Sequence, residues 1–480
     1  MARAQGRRWL RHISTRGEAP ALGFTEVMLA GLARDGGLYV PETWPRLTHE
    51  TIAGFAGRAY ADVAVEVIRH FTGDAVGEAD LATMAREAYA TFRHPAVAPL
   101  AELGVNTFAL ELFHGPTLAF KDVAMQLLAR LMDRALAARR ERRTVVVATS
   151  GDTGGAAVEA FRDSSQIDVV VLFPHVRISD VQRRMMTTAK AANVHTIAID
   201  GTFDDCQAIV KGMFNHPAFR ERVRLSGVNS INWARIVAQT VYYFTAAVAL
   251  GAPRRRIAFT VPTGNFGDIY AGYVAERIGL PIDRLVIATN VNDILARTLS
   301  TGTYELRDVV ATSSPSMDIQ VSSNFERLLF DAYDRDAGAV RALMDSLAQS
   351  RRFSLTARAL AFIRALFAAG RADEDEVAAT IRTVRRETGT FVDPHTAVAI
   401  AVAGRESRDP SVPMVVLATA HAAKFPQAVE AACGERPPLP GWLSDLHQRP
   451  ERVIALPADQ SIVERFVAQA SRAAQEGALA

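Results

Sequence analysis

Between residues 142 and 290 the chain alternates between two kinds of apolar pattern. "RRTVVVATS" (142–150) is an unbroken β-branched run that ends in a turn, and "GGAAVEAFRDS" (154–164) reads as a helix. "IDVVVLFP", "VHTIAID", "RRIAFTVPT" and "RLVIATN" repeat the first pattern. "ISDVQRRMMTTAKA", "FDDCQAIVKGMFN" and "GDIYAGYVAERIG" repeat the second, and a long helix is expected over 232–250. Short, nearly continuous apolar strands between helices predict βαβ units and buried parallel sheet. The flanks differ. Residues 22–95 carry helical periodicity with little strand signal. Residues 325–390 read as a helical insertion before a strand at "PMVVLATA" (413–420), and the last 45 residues read as a surface wrap ending in a helix.

With 480 residues the chain exceeds one hydrophobic core. The pattern predicts a mostly helical N-terminal region (1–100), a smaller α/β unit (101–220), a larger α/β unit with the insertion (221–435) and a C-terminal wrap (436–480). The formal net charge of +2 gives no electrostatic footprint for nucleic acid. No apolar run reaches the roughly 18 residues of a membrane span. The interrupted "IVAQTVYYFTAAVALG" comes nearest. Two cysteines, Cys206 and Cys433, make neither a disulfide framework nor a cysteine-rich metal site, and they suit a reducing compartment. Five arginines and no acid precede Glu18, but no apolar core of a signal peptide follows. Residues 1–11 are read as a short tail, and a cytoplasmic location is expected.

Three turns carry small polar residues directly after buried strands, where ligands of open α/β sheets bind. "SGDTGG" places Ser150, Gly151, Asp152 and Thr153 where a strand meets a helix, whose free N–H groups attract anions or are simply capped. "PTGNFGD" places Gly264, Asn265, Phe266, Gly267 and Asp268 in a second such turn. It matches neither G-x-G-x-x-G nor a P-loop, so a dinucleotide or ATP site fails on pattern. The third, "LATAHAAKF", holds Thr419 and His421, the latter read as a hydrogen-bonded structural residue. Of 54 basic side chains only four are Lys: Lys121, Lys190, Lys211 and Lys424. Lys121 stands in the apolar run "LAFKDVAM". A desolvated Lys loses affinity for its proton and bonds carbonyls as an imine. Such a Lys beside two anion cradles suggests pyridoxal phosphate. Surface snorkelling is the alternative.

These residues resemble those of the threonine synthase family. The resemblance runs from about residue 12 to 433 through "ISTRG", "DGGLYVPE", "FHGPTLAFKD", "ATSGDTGGAA", "SINWARI", "PTGNFGD", "SMDIQVSSNFERLLF", "DPHTAVA" and "LATAHAAKFP". It favours the longer variety, with an extended N-terminal region. Ala422 stands where the family often has Pro. The resemblance implies the fold of the type II pyridoxal-phosphate enzymes, two open parallel-sheet units with helices on both faces. It implies a lyase that converts O-phospho-L-homoserine and water to L-threonine and phosphate. Lys121 would carry the cofactor, Gly264 to Asp268 would hold its phosphate, and Thr419 would face its ring nitrogen. "SGDTG" would hold the substrate carboxylate by backbone N–H groups, with Ser150 and Thr153 helping. Asn232, Arg235, Ser316, Asp318 and Asn324 are the candidates for the substrate phosphate. A phospholyase giving 2-oxobutyrate and a non-catalytic cofactor-binding relative are the alternatives. No metal, nucleic acid or membrane partner is expected, and the state is monomer or homodimer.

Overall fold

The computed structural model describes residues 10–175 and 178–479; most of the expected N-terminal tail lies outside the described residues. Two sheets organise the chain. The larger has six strands in the order Phe367–Arg371, Ile282–Thr289, Ile257–Pro262, Met414–Ala418, Thr107–Glu111, Leu100–Gly104. All neighbours are parallel except the last two strands, which form an antiparallel hairpin. The smaller sheet is wholly parallel, ordered Ile454–Pro457, Val194–Asp200, Ile167–Pro174, Arg143–Ala148, Leu225–Ser226. The uninterrupted apolar runs are central strands of the two sheets: every residue of Ile167–Pro174 in the smaller and of Ile257–Pro262 in the larger is buried, as expected for strands covered on both faces.

The helix Trp233–Ala249 is the spine. It packs against the helices Gly267–Arg277, Lys121–Arg139 and Tyr60–Thr72, and fourteen of its 17 residues are buried. A helix apolar all round belongs in a core. Its 17 residues explain the run that came nearest to a membrane span, and no described helix is long and apolar enough to cross a membrane. The helices Phe24–Ala30, Tyr60–Thr72 and Glu78–Tyr89 form the expected helical N-terminal layer.

Three elements lie elsewhere than the sequence pattern predicts. Residues 101–111 fall in the expected smaller unit, but Thr107–Glu111 is a strand that pairs with Met414–Ala418 in the larger sheet. The C-terminal stretch is more than a wrap: Ile454–Pro457 adds a parallel edge strand to the smaller sheet, and Val463 and Val467 of the next helix are fully buried. The helical insertion contains Phe367–Arg371, an edge strand of the larger sheet. Each assignment depends on a partner distant in sequence. "FAAGR" and "IALP" have little strand propensity of their own, and edge positions tolerate that.

Candidate active site

The turn that presents Lys121 is held by its neighbours. Asp122 is fully buried, and its carboxylate accepts the Thr117 N–H at 2.7 Å and hydroxyl at 2.6 Å. A Cβ on Gly115 would stand 2.5 Å from Asp122 Oδ2, so no side chain fits there. Leu118 is left-handed at φ 59°, a conformation that costs a bulky residue on the order of 1 kcal/mol. Two bonds enforce it: the His421 N–H donates to the Leu118 carbonyl at 3.0 Å, and the Phe120 N–H donates to the Thr419 carbonyl at 2.8 Å. They tie the Lys121 turn to the end of the strand Met414–Ala418. Thr419 itself is buried, and His421 Nδ1 accepts the Ala423 N–H at 3.1 Å.

Lys121 opens the helix Lys121–Arg139. Its side chain is 12 % exposed, and Nζ lies 3.3 Å from Asp152 Oδ2. The other oxygen, Oδ1, accepts from Lys424 Nζ at 2.7 Å and from Gln182 Nε2 at 2.8 Å. Lys424 is fully buried and also donates to the Thr117 carbonyl at 2.7 Å. One carboxylate therefore serves two ammonium groups. Burial pushes Lys121 below its ordinary value; Asp152 opposes this, while Lys424 and Arg235 add to the fall. Burial alone would raise Asp152, but Lys424 and Lys121 outweigh it and hold the group well below the usual carboxylate range.

The "SGDTG" helix starts at Asp152, two residues earlier than expected, after Gly151 at φ 137°. The cap comes from Thr149, whose hydroxyl accepts the N–H groups of Gly151 and Gly154 at 2.9 and 3.0 Å. A Cβ on Gly151 would stand 2.6 Å from Gln182 Cδ. Ser150 and Thr153 are half-buried at this turn.

The "GNFGD" turn follows the strand Ile257–Pro262. Phe266, left-handed at φ 63°, precedes the helix Gly267–Arg277 and buries its ring against Phe325 and Phe367. A Cβ on Gly264 would stand 2.6 Å from the Ser316 carbonyl oxygen, and one on Gly267 would stand 3.2 Å from Asn324 Nδ2. The Ser322 hydroxyl donates to the Gly264 carbonyl at 2.6 Å. Asn324 donates to the Asn265 carbonyl through both its N–H and its amide. Asn324 also reaches the Ser230 carbonyl, so "PTGNFGD", "SINWARI" and "SMDIQVSSNFERLLF" meet in one surface. Asp268 is buried beside Tyr242, whose hydroxyl donates to Oδ1; Oδ2 has no partner among the described residues. Burial raises Asp268 to about 7 despite the tyrosine hydroxyls and Lys121.

Residues 11–89 match the threonine synthase N terminus family, residues 90–420 the pyridoxal-phosphate dependent enzyme family, and residues 396–467 the threonine synthase C-terminal family. The threonine synthase of Pseudomonas aeruginosa is 51% identical over 96% of this chain and 98% of that one. The crystal structure of pyridoxal-phosphate-bound threonine synthase from Brucella melitensis is 59% identical with a TM-score of 0.95, covering 96% of this chain and 100% of that one. The yeast threonine synthase structure is 36% identical with a TM-score of 0.91, covering 96% and 98%. This chain belongs to the threonine synthase family. It is a pyridoxal-phosphate-dependent enzyme of fold type II.

The residues present fit that cofactor. A buried lysine with weakened proton affinity faces the site, and a glycine turn leaves no room for a Cβ. Arg235 adds an uncompensated cation. It is 2 % exposed, its Nη1 donates to the Val228 carbonyl, its Nε has no partner, and it makes no ion pair among the described residues. Burial lowers it to about 10. A buried cation without a counter-ion favours an anionic ligand.

Three of the expected phosphate contacts are engaged otherwise. Asn232 is fully buried, accepting the Ala234 N–H and donating to the Met28 carbonyl, and so caps the spine helix. Asp318 receives Asn290, Asn292 and the Thr312 N–H and hydroxyl, which fold the 310–318 loop. Its negative charge would also repel a phosphate. Asn324 uses its amide between Ser230 and Asn265 and accepts from Arg327. Ser316 is half-buried beside Gly264. Sequence reasoning overlooked the Asp152 carboxylate as the shared partner of two lysines, and Gln182, Ser322 and Thr149 as supports. Only Lys424 had a signal, its rarity as a Lys close to Thr419.

Proposed function

We propose that this chain converts O-phospho-L-homoserine and water to L-threonine and phosphate. The observation that carries the reading is the Lys121–Asp152–Lys424 group: a buried amine, depressed in proton affinity, bonded to a carboxylate that a second lysine keeps ionised. Full-length identity of 51% to a threonine synthase supports it.

Pyridoxal phosphate, when bound, supplies a carbonyl that bonds an amine and a conjugated ring that takes up the electron pair of a broken C–H bond. Lys121 would hold it, the backbone of residues 264–268 would hold its phosphate, and the Thr419 hydroxyl would face its ring nitrogen. A neutral hydroxyl there leaves that nitrogen without a proton. Lys121 Nζ, once free, moves protons: from the substrate α-carbon, then from the β-carbon as phosphate leaves Cγ. A proton then returns to Cγ, water adds its oxygen to Cβ, and a proton returns to the α-carbon. A base near its own pKa at working pH serves both directions. Asp152 orients the amine, and Lys424 keeps Asp152 from taking the proton itself. The N–H groups of the 150–153 turn would bind the substrate carboxylate. Arg235 and Ser316 would bind the substrate phosphate, where guanidinium geometry suits bidentate contact.

Incubating the holoenzyme with O-phospho-L-homoserine and identifying the products tests this. Threonine and phosphate in equal amounts are expected. Accumulation of 2-oxobutyrate and ammonia, or no turnover, would overturn it.

A further inference from the structure

The motif "DPHTAVA" (393–399) takes no part in the chemistry above. Yet Asp393 is fully buried and His395 is 4 % exposed. Asp393 caps the helix Pro394–Ala403, accepting the N–H groups of His395 and Thr396 at 3.0 and 3.1 Å. It also bonds His395 Nδ1 at 2.7 Å. An ionised carboxylate only accepts, so Nδ1 carries the proton and Nε2 keeps a lone pair. That lone pair accepts the backbone N–H of Ser316 at 3.2 Å.

Ser316 is the link to the site. It lies in the short 3-10 turn Pro315–Met317; Pro315 carries no N–H, the Met317 N–H bonds the Ser314 carbonyl, and the Ser316 N–H is left for His395. Its carbonyl oxygen is the atom that a Cβ on Gly264 would meet at 2.6 Å. The same segment continues to Ser322 and Asn324, which bond the carbonyls of Gly264 and Asn265. The His395 ring also lies 4.9 Å from that of Phe425, next to Lys424. A phenylalanine would pack there equally well, but it offers no acceptor.

We propose that Asp393 and His395 are positioning residues. The carboxylate fixes the imidazole tautomer, the imidazole anchors Ser316, and the anchored segment sets the shape of the 264–268 turn. The inference rests on reading that turn as the holder of the cofactor phosphate. It explains why this motif pairs a buried acid with a buried imidazole.

Two variants separate anchoring from packing. His395→Gln places an amide oxygen near the former Nε2 position, and His395→Phe keeps the ring and removes the acceptor. Backbone hydrogen exchange over residues 314–318 and the dissociation constant for pyridoxal phosphate are measured for each. His395→Phe is expected to speed exchange at Ser316 at least about tenfold and to weaken cofactor binding at least about fivefold, while His395→Gln stays within about twofold of the parent. The reverse ranking, or equal effects in both, overturns the proposal. Rapid exchange of the Ser316 amide in the parent holoenzyme overturns it without any variant. Gly264→Ala tests the underlying reading separately. If that change leaves cofactor affinity intact, the 264–268 turn does not hold the phosphate, whereas the exchange data still report on the His395 bond.

Discussion

Replacing Lys424 by Met keeps an unbranched stem and removes one ammonium from a carboxylate that serves two. Lys121 and Lys424 bond the two oxygens of Asp152 at 3.3 and 2.7 Å. Their nitrogens are therefore at most about 8 Å apart, and at an effective dielectric of about 20 their repulsion is about 2 kcal/mol. That repulsion is one of the causes holding Lys121 below its ordinary value, after burial. Without it Lys121 binds its proton more tightly and has Asp152 to itself, so its pKa rises. The assay is the rate at which cofactor-free protein captures pyridoxal phosphate, followed by absorbance across pH. Capture needs the neutral amine, so the midpoint of its rise moves to higher pH. An unmoved midpoint, or one that falls, would refute the coupling of the two lysines through Asp152.

Lys121→Ala should lose all threonine formation and the visible absorbance of the bound cofactor, and Lys121→Arg should be equally inactive, because a guanidinium stays protonated and forms no imine; turnover measured on pure protein checks both. Gly264→Ala puts a Cβ 2.6 Å from a backbone oxygen that has no room to yield, so cofactor affinity measured by titration should fall at least about tenfold, near 1.4 kcal/mol. Glu159 is raised to about 7 by burial, with Asp122 and Asp163 adding to it against Arg162. Its folded value lies above its unfolded one, so its favourable contribution is complete below about pH 4.5 and is lost as pH rises through 7. Glu159→Gln should therefore stabilise the protein at about pH 8 by about 1–2 kcal/mol, reduced for partial exposure, and by less at about pH 5; thermal midpoints at both pH values would show it, and an equal change at both would count against it.

What could be read from the chain alone was whatever a residue announces through its neighbours in sequence. Unbroken β-branched runs gave the central parallel strands. Glycines between small polar residues gave the two turns, because backbone that must approach other backbone excludes a Cβ wherever its partner lies. Partners themselves could not be read. Nothing near Thr107 points to Met414 across the larger sheet, nor near Ile454 to Ile197 across the smaller. For the same reason Asn232, Asp318 and Asn324 looked like free ligand groups: polarity is visible in sequence, but its satisfaction by Met28, Thr312 or Ser230 is not. The four lysines show where composition could stand in for that missing information. Lys190 and Lys211 are exposed, whereas Lys121 and Lys424 are nearly buried and share one carboxylate. A chain that uses Arg nearly everywhere keeps Lys at these two positions for two reasons. A guanidinium at 121 would never release its proton. At 424 the space between the Thr117 carbonyl and Asp152 Oδ1 takes a compact ammonium bonded to both at 2.7 Å, which a planar five-donor fork would overfill.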